Sequence, residues 1–239
     1  METPTVVSRT KGHGCSITQY AYQSPALGGT RAVFSVIAPP APAGEGGDGR
    51  PPLPALYWLS GLTCTDQNFI TKSGAAAHVA TAGLLIVAPD TSPRGAGAPG
   101  EDDGWDFGTG AGWYLDATAP GFGAYQMETY IAFTGYLGKP PAGDGPPPAA
   151  WAAHDATELM AARTSPLLPD VEVRVDQGAA DEFWAAGQLR GDEYVAACKR
   201  VGQAAAFHLH DGYDHSYHFV ATFLGDHVKL HAAALGANK

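Results

Sequence analysis

The fold is decided by Ala55–Ala88, which reads ALYWLSGLTCTDQNFITKSGAAAHVATAGLLIVA. Two short apolar runs within it, Ala55–Leu59 and Leu84–Ala88, are typical of buried strands. Between them, Lys72–Thr81 is rich in Ala and predicts a helix, which Gly83 is placed to end. A strand, a helix and a second strand in this order predict a parallel βαβ unit.

Further elements are predicted on both sides of this unit. Two strands, joined through Gly28-Gly29 as a hairpin, are predicted before it, and two strands and two helices after it. The strands are Cys15–Tyr22, Arg31–Ala38, Val171–Val175 and Ala204–Leu209, and the helices are Ala186–Arg200 and Tyr217–Leu235. Three Pro- or Gly-rich stretches, Pro39–Pro54, Pro89–Gly123 and Pro140–Pro148, are predicted loops, and the aromatic content of the second favours an ordered one. The pattern predicts a single α/β domain over residues 1–239 with a mostly parallel sheet.

Composition narrows the function classes. The 239 residues include 14 basic and 24 acidic side chains, for a net charge of −10, which argues against nucleic acid or an anionic membrane as the main partner. No apolar run approaches the ~18 residues of a membrane-spanning helix. The N-terminus lacks the apolar region of a signal peptide. The chain has three cysteines, an odd number that is also too small for a disulfide framework. We therefore expect reduced thiols in the cytoplasm.

Three loops follow predicted strands at their carboxyl ends, where open α/β sheets place their chemistry. They are Ser60–Cys64, Asp176–Asp181 and Asp211–Ser216. An acid and then a His after the last two strands is the order of an α/β-hydrolase triad, in which the acid orients the imidazole and the imidazole takes the proton of the nucleophile. On order and spacing alone, this signal is weak, and ordinary surface-loop residues explain these positions better.

Seven blocks of sequence carry a resemblance to one family. They are LYWLSGLTCTDQNFITKSGA (Leu56–Ala75), APDTSPRG (Ala88–Gly95), GEDDGWDFGTGAGWYLDAT (Gly100–Thr118), FTGYLG (Phe133–Gly138), DATEL (Asp155–Leu159), VDQGAADEF (Val175–Phe183) and GYDHSYHFVATFLGDH (Gly212–His227). In this order they resemble S-formylglutathione hydrolase, the esterase D family. The resemblance implies an α/β-hydrolase fold and a serine thioesterase that needs no metal or cofactor. That family cleaves S-formylglutathione to glutathione and formate during formaldehyde removal, and also hydrolyses simple esters.

The resemblance also implies site residues, position by position. Asp181 matches the second Asp of the family's QG-x-x-D motif and would orient the imidazole. His215 matches the His of GYDHSY and would be the general base. The backbone N–H of Leu62 matches the oxyanion-hole loop, and Cys64 matches a thiol beside the family's active site.

The nucleophile of the family has no counterpart in the chain. The family's Ser lies in a G-x-S-x-G elbow between the central strand and a helix. The nine serines are residues 8, 16, 24, 35, 60, 73, 92, 165 and 216, and none lies in that motif. The sequence matches the family up to Ile131 and matches it again from Ala132, but these two adjacent residues correspond to family positions that lie far apart. A family segment on the order of sixty residues, which includes the elbow, is therefore absent between them. We therefore expect an α/β-hydrolase fold that lacks its central nucleophile strand and the following helix, with exposed strand edges unless the remaining strands close up.

Three functional interpretations remain open at this point. The first is a thioesterase family member, impaired because its nucleophile is missing. The second is a non-catalytic remnant that binds or dimerises. The third is an esterase with a substitute nucleophile, either Cys64, whose thiol a nearby His could activate, or the less reactive hydroxyl of Ser60.

A metal site is not expected. The candidates for ligands are His208, His210, His215 and His218 with Asp211 and Asp214, the pair His227 and His231, and the acidic stretch Glu101-Asp102-Asp103 with Asp106. None of them has the spacing of a known zinc or calcium motif. The expected partner is a small thioester, with no nucleic acid or membrane, and a homodimer is a possible assembly.

Overall fold

The computed structural model describes residues 3–40, 52–105, 107–112, 116–117, 120–127 and 155–237. The chain divides into two compact units, which we treat separately. The first unit is Met1–Gly135 with Leu224–Lys239, and the second is Tyr136–Phe223. The predicted loop Pro140–Pro148, the 131/132 junction and most of the loop Pro39–Pro54 lie outside the described residues. The single domain over residues 1–239 stays a prediction.

The first unit contains a five-stranded mixed sheet. Its strands are β1 (Thr5–Gly12), β2 (Cys15–Ser24), β3 (Thr30–Ala38), β4 (Ala55–Tyr57) and β5 (Leu85–Pro89), in the order β1-β2-β3-β5-β4. The pairs β1–β2, β2–β3 and β3–β5 are antiparallel, and β4–β5 is parallel. The predicted hairpin is confirmed as β2–β3. Strand β1 was not predicted, because seven of its eight residues are exposed and it shows no apolar alternation.

The predicted βαβ unit is confirmed, with Ala55 opposite Leu85 in parallel register. The predicted helix Lys72–Thr81 is confirmed as α2 (Ala75–Ala82), which starts three residues later than predicted, but the preceding helix α1 (Asp66–Lys72) was not predicted. They separate at Gly74, whose φ of 69° is left-handed, a conformation that favours glycine. Gly83, with a φ of 67°, ends α2 as predicted.

Strand β4 is less buried than its apolar sequence predicted. Ala55 and Tyr57 are exposed, and within the described part of the chain β4 pairs with β5 alone. An outermost strand has no neighbour to cover its free edge, which accounts for the difference. The core of this unit lies on the inner strands and the helices, where Ile37, Phe69 and Ile86 are fully buried.

The second unit contains the two-stranded parallel sheet of β6 (Val173–Gly178) and β7 (Ala205–His210). Both strands were predicted within two residues of their observed starts. Three helices accompany the sheet: α3 (Ala156–Ala161), α4 (Glu182–Ala185) and α5 (Gly191–Arg200). The helix predicted over Ala186–Arg200 begins only at Gly191, since Gly187, with a φ of 68°, follows the short α4.

The C-terminal helix α6 (Tyr217–Ala234) matches its prediction closely. The described residues contain no helix long and apolar enough to cross a membrane. The mixture of parallel strand pairs and connecting helices is the predicted α/β class. The predicted mostly parallel sheet is wrong for the first unit, where only β4–β5 is parallel, because short turns join β1 to β2 and β2 to β3 as antiparallel neighbours and β3–β5 is also antiparallel. In the second unit β6–β7 is parallel.

Candidate active site

An aspartate and a histidine meet at the carboxyl end of the second unit's sheet. Strands β6 and β7 run parallel with Gly178 opposite His210, so the loops that follow them leave the same edge. Asp181 lies in the first loop and His215 in the second. Asp181 Oδ2 and His215 Nδ1 are 2.7 Å apart. The structure thus brings together the two residues that the sequence predicted as acid and base.

Asp181 is held as a buried, ionised carboxylate. Its side chain is 4% exposed, and Oδ1 accepts the N–H of Phe183 as the N-cap of α4, while Oδ2 also accepts from Gln177 Nε2 at 2.9 Å. Burial raises the pKa of Asp181, but the hydrogen bonds from His215, Gln177 and Phe183 outweigh it and leave the pKa below its usual range.

His215 is oriented by that carboxylate. An ionised carboxylate only accepts hydrogen bonds, so Nδ1 carries the proton and Nε2 presents its lone pair. The side chain is 57% exposed, and the ring of Phe183 packs edge-on against the imidazole, with centroids 4.8 Å apart. A neutral imidazole in this tautomer, open to solvent on one side, can take a proton from an attacking group.

The two loops are also joined through their backbones. Ala179 N–H donates to His210 O and Ala180 N–H donates to Tyr213 O, both at 2.9 Å. A Cβ on Gly178 would lie 2.3 Å from Tyr213 O. Sequence reasoning singled out Asp181 and missed Gly178, although a glycine between a strand and a candidate acid signals such a close approach.

The Ser60–Cys64 loop in the first unit is a tight turn. Thr63 N–H donates to Gly110 O, and Cys64 N–H donates to Gly61 O. Thr63 has a φ of 65°, a left-handed conformation rare for a β-branched residue. No described residue accepts from the N–H of Leu62. A backbone donor without an acceptor, at the end of a sheet strand, is what an oxyanion-hole donor requires.

Two side chains of this loop were candidate nucleophiles. Ser60 is 2% exposed, its Oγ accepts from Trp58 Nε1 at 3.0 Å and its carbonyl accepts from Thr91 Oγ1. A hydroxyl so enclosed is poorly placed to attack a substrate, which weakens the Ser60 hypothesis. Cys64 is partly buried and forms no disulfide, and its carbonyl accepts from Arg94 Nη2 at 3.1 Å.

The described part of the long loop Pro89–Gly123 is held by buried polar pairs. Arg94 Nε and Nη2 donate to the Asp90 carboxylate at 2.6 and 3.1 Å. Burial raises the pKa of Asp90, and the Arg94 guanidinium opposes that rise. Tyr125 OH donates to Glu101 Oε2 at 3.0 Å, and burial with the nearby Glu101 carboxylate raises the pKa of Tyr125 to about 12. Glu101, considered from sequence as a possible cation ligand, therefore anchors the loop.

The candidate metal ligands that the structure describes do not converge, and Asp106 lies outside the described residues. Within the residues that the structure describes, no three His, Cys, Asp or Glu side chains are arranged to hold a metal ion. His210 is bound to Asp176. His227 and His231 stack on α6 with ring centroids 6.5 Å apart, and burial together with His227 lowers the pKa of His231.

Comparison with known proteins agrees with the predicted fold and family. Residues 27–134 match the esterase family described as "Putative esterase". S-formylglutathione hydrolase of Mus musculus is 37% identical, over 85% of this chain and 89% of the relative. S-formylglutathione hydrolase of Arabidopsis thaliana is 34% identical, over 91% and 93%. The solved S-formylglutathione hydrolase of Agrobacterium tumefaciens superposes with a TM-score of 0.80 at 31% identity, over 97% of this chain and 99% of that one.

These similarities define an esterase with an α/β-hydrolase-type fold. Within that class, the chain belongs to the S-formylglutathione hydrolase family. The alignment with the mouse relative is 267 positions long but includes only 85% of the 239 residues, about 203, so about 64 positions face no residue of this chain. That total agrees with the length expected for the absent segment.

Proposed function

We propose that this chain retains the acid and the base of an S-formylglutathione hydrolase and lacks the serine that would attack the thioester. Asp181 is the acid that orients the imidazole, and His215 is the general base. The observation that carries the proposal is the 2.7 Å contact between Asp181 Oδ2 and His215 Nδ1, made by a buried carboxylate.

The chemistry assigned to the pair is the family's acyl transfer. A serine hydroxyl attacks the formyl carbon while His215 Nε2 takes its proton, and the imidazolium then gives that proton to the leaving sulfur of glutathione. Water repeats the sequence on the formyl ester and releases formate. The Leu62 N–H is proposed as one donor to the oxyanion. The second donor, the N–H after the serine, belongs to the absent elbow.

The chain as it stands is therefore expected to have no serine-hydrolase turnover. Loss of one triad member leaves a residual rate of ~10³–10⁴ over water in proteases, but that residual rate depends on an intact oxyanion hole. Here the attacking atom and one donor are both missing. We expect hydrolysis of S-formylglutathione and of a nitrophenyl ester at the rate of buffer, and no labelling by a fluorophosphonate probe.

The decisive experiment restores the missing segment. A family segment of about sixty residues that contains the G-x-S-x-G elbow is inserted between Ile131 and Ala132, and thioester hydrolysis and probe labelling are measured. Both should appear. In the restored chain, His215→Ala should lower kcat by about 10²–10⁴, and Asp181→Asn should lower it by a similar factor. Asp155→Asn, an exposed helix cap of the same type, is the matched control and should change nothing.

Two results would contradict the proposal. Stoichiometric labelling of a serine in the unrestored chain would show that another hydroxyl has been recruited. Activity of the restored chain that survives His215→Ala would show that His215 is not the base. A thiol mechanism is tested in the unrestored chain, since hydrolysis lost on Cys64→Ser would assign it to Cys64.

The physiological setting is proposed from family membership alone. We propose a cytoplasmic role in glutathione-dependent formaldehyde removal, with S-formylglutathione as the small-molecule partner and a homodimer as the assembly. Sedimentation measures the assembly. If the restored chain fails to hydrolyse S-formylglutathione but the unrestored chain binds a full-length relative, the alternative of a non-catalytic binding module is favoured.

A further inference from the structure

A second carboxylate–imidazole pair lies beside the first in the second unit. His210 Nε2 is 2.7 Å from Asp176 Oδ1. Arg174 completes the cluster, donating from Nε to Asp176 Oδ2 at 2.6 Å and from Nη2 to Oδ1 at 3.1 Å. The Asp176 side chain is 3% exposed. Asp176 and His210 lie on the paired strands themselves, with His210 opposite Gly178, whereas Asp181 and His215 lie in the loops that follow the strands.

The imidazole of His210 is fixed by more than its hydrogen bond. Its ring stacks on Phe223 with centroids 3.8 Å apart and a 27° interplanar angle. Tyr213 meets the ring edge-on, and Phe219 packs at a tilt. A ring held on its face and at its edge has little freedom to rotate, so the bond to Asp176 holds the chain at His210 in one position.

His210 is the last residue of β7, and the loop to His215 starts directly after it. Its carbonyl accepts from Ala179 N–H, in the loop that carries Asp181. The loop 211–216 is thus fixed at its start by Asp176–His210 and at its end by Asp181–His215. A hydrogen bond at both ends of a six-residue loop restricts where the His215 ring can lie.

We propose that Asp176 and His210 are positioning residues for His215. Their pair fixes the start of the loop 211–216 so that the imidazole of His215 stays within hydrogen-bond distance of Asp181. The proposal rests on the proposed function only in taking His215 as the base, because the contact it concerns can be measured without turnover.

The test observes the His215 Nδ1–H proton directly. Histidine ring protons bound to carboxylates give separate, far-downfield NMR signals, and ¹⁵N shifts report the tautomer. In the unchanged full chain we expect His215 as the Nδ1–H tautomer and His210 as the Nε2–H tautomer. Asp181→Asn identifies the His215 signal by removing it.

Two variants of His210 separate positioning from general stability. His210→Leu removes the donor to Asp176 and should abolish the His215 Nδ1–H signal by exchange with water. His210→Gln keeps an N–H donor and should restore it. A folded His210→Leu chain with an unchanged His215 signal would overturn the proposal, as would loss of the signal in a folded His210→Gln chain.

If the His210→Leu chain does not fold, the proposal is tested in the unchanged chain instead. On warming, the His210 Nε2–H and His215 Nδ1–H signals should broaden together, because the loop that joins them loosens as one piece. Persistence of the His215 signal after the His210 signal has disappeared would overturn the proposal. In the restored chain, a positioning role further predicts that His210→Leu lowers kcat more than it raises KM.

Discussion

Substitution of Asp181 by Asn tests the geometry of the candidate site through stability. Asn keeps one carbonyl oxygen, which can continue to accept the Phe183 N–H as the helix cap. Its amide group then replaces Oδ2 and faces two donors, Gln177 Nε2 and His215 Nδ1. The hydrogen bonds from Gln177 and His215 to a charged acceptor are therefore lost, and His215 is left either without its acceptor or in the other tautomer, in which Nδ1 accepts from the amide.

The size of the effect follows from burial. A hydrogen bond to a charged group contributes about 1.5–3 kcal/mol, and the part-buried Gln177 bond should count in this range. The His215 bond should contribute below about 1 kcal/mol, because its ring is 57% exposed and water can replace the partner. We expect Asp181→Asn to lower the free energy of unfolding by about 2–3 kcal/mol.

Urea unfolding at neutral pH measures this value, from a shift of the midpoint at constant slope. Asp155→Asn is the matched control, since Asp155 also caps a helix by accepting from the N–H groups of Thr157 and Glu158, and no side chain among the described residues donates to its carboxylate. Asn caps a helix as well as Asp does, so Asp155→Asn should leave the free energy of unfolding almost unchanged. Equal effects of the two substitutions would refute the reasoning.

Lowering the pH should remove the difference in the free energy of unfolding between the unchanged chain and the Asp181→Asn chain. The pKa of Asp181 is lower in the folded chain than in the unfolded one, so its contribution is present above the ordinary Asp pKa of about 4. The contribution is lost as the pH falls from that value through the folded pKa. Unfolding curves below about pH 4 should therefore converge, and a constant gap would contradict the assigned ionisation.

Two further predictions concern the long loop of the first unit. Tyr125→Phe should cost about 1–3 kcal/mol, measured by urea unfolding, because buried Glu101 loses a donor. In the unchanged chain, absorbance should show Tyr125 ionising with a pKa of about 12. Because this pKa is raised on folding, stability should be full below pH ~10 and fall as pH rises through the folded value. Gly108→Ala should destabilise the chain by at least about 2 kcal/mol more than Gly95→Ala, since both glycines have a left-handed φ but a Cβ on Gly108 would lie 2.2 Å from Glu101 O, whereas Gly95 has nothing within 4 Å.

Sequence patterns predicted the elements whose signals are local. The hairpin β2–β3, the parallel pairs and the helix α6 followed from apolar runs and from glycines at their ends. Helix α1 was missed because its capping box, in which Thr65 accepts the Gln67 N–H and Asn68 Oδ1 accepts the Thr65 N–H, was not considered. A capping box marks the start of a helix that composition alone does not show.

In the candidate site, too, some contacts could be predicted from the sequence and others could not. That Asp181 and His215 lie close follows from parallel strands ending at one edge, a rule that needs only the order of the elements. The Glu101–Tyr125 and Asp176–His210 contacts join residues 24 and 34 positions apart. Which polar side chains meet across such distances depends on register and packing, and one sequence contains no local signal for either.

The Asp181–His215 pair is built from contacts made within the second unit alone. Asp181 is held by Gln177 and by the first turn of α4, and His215 by Asp181 and Phe183. None of these partners belongs to the absent family segment, because the pair and its neighbours all lie in Val175–Phe183 or Gly212–His227. The geometry of acid and base is therefore independent of the nucleophile that it would serve. Loss of the elbow removes the attacking atom and one oxyanion donor but leaves the tautomer of His215 fixed, which is why insertion of that segment is expected to restore catalysis without any change to the two loops.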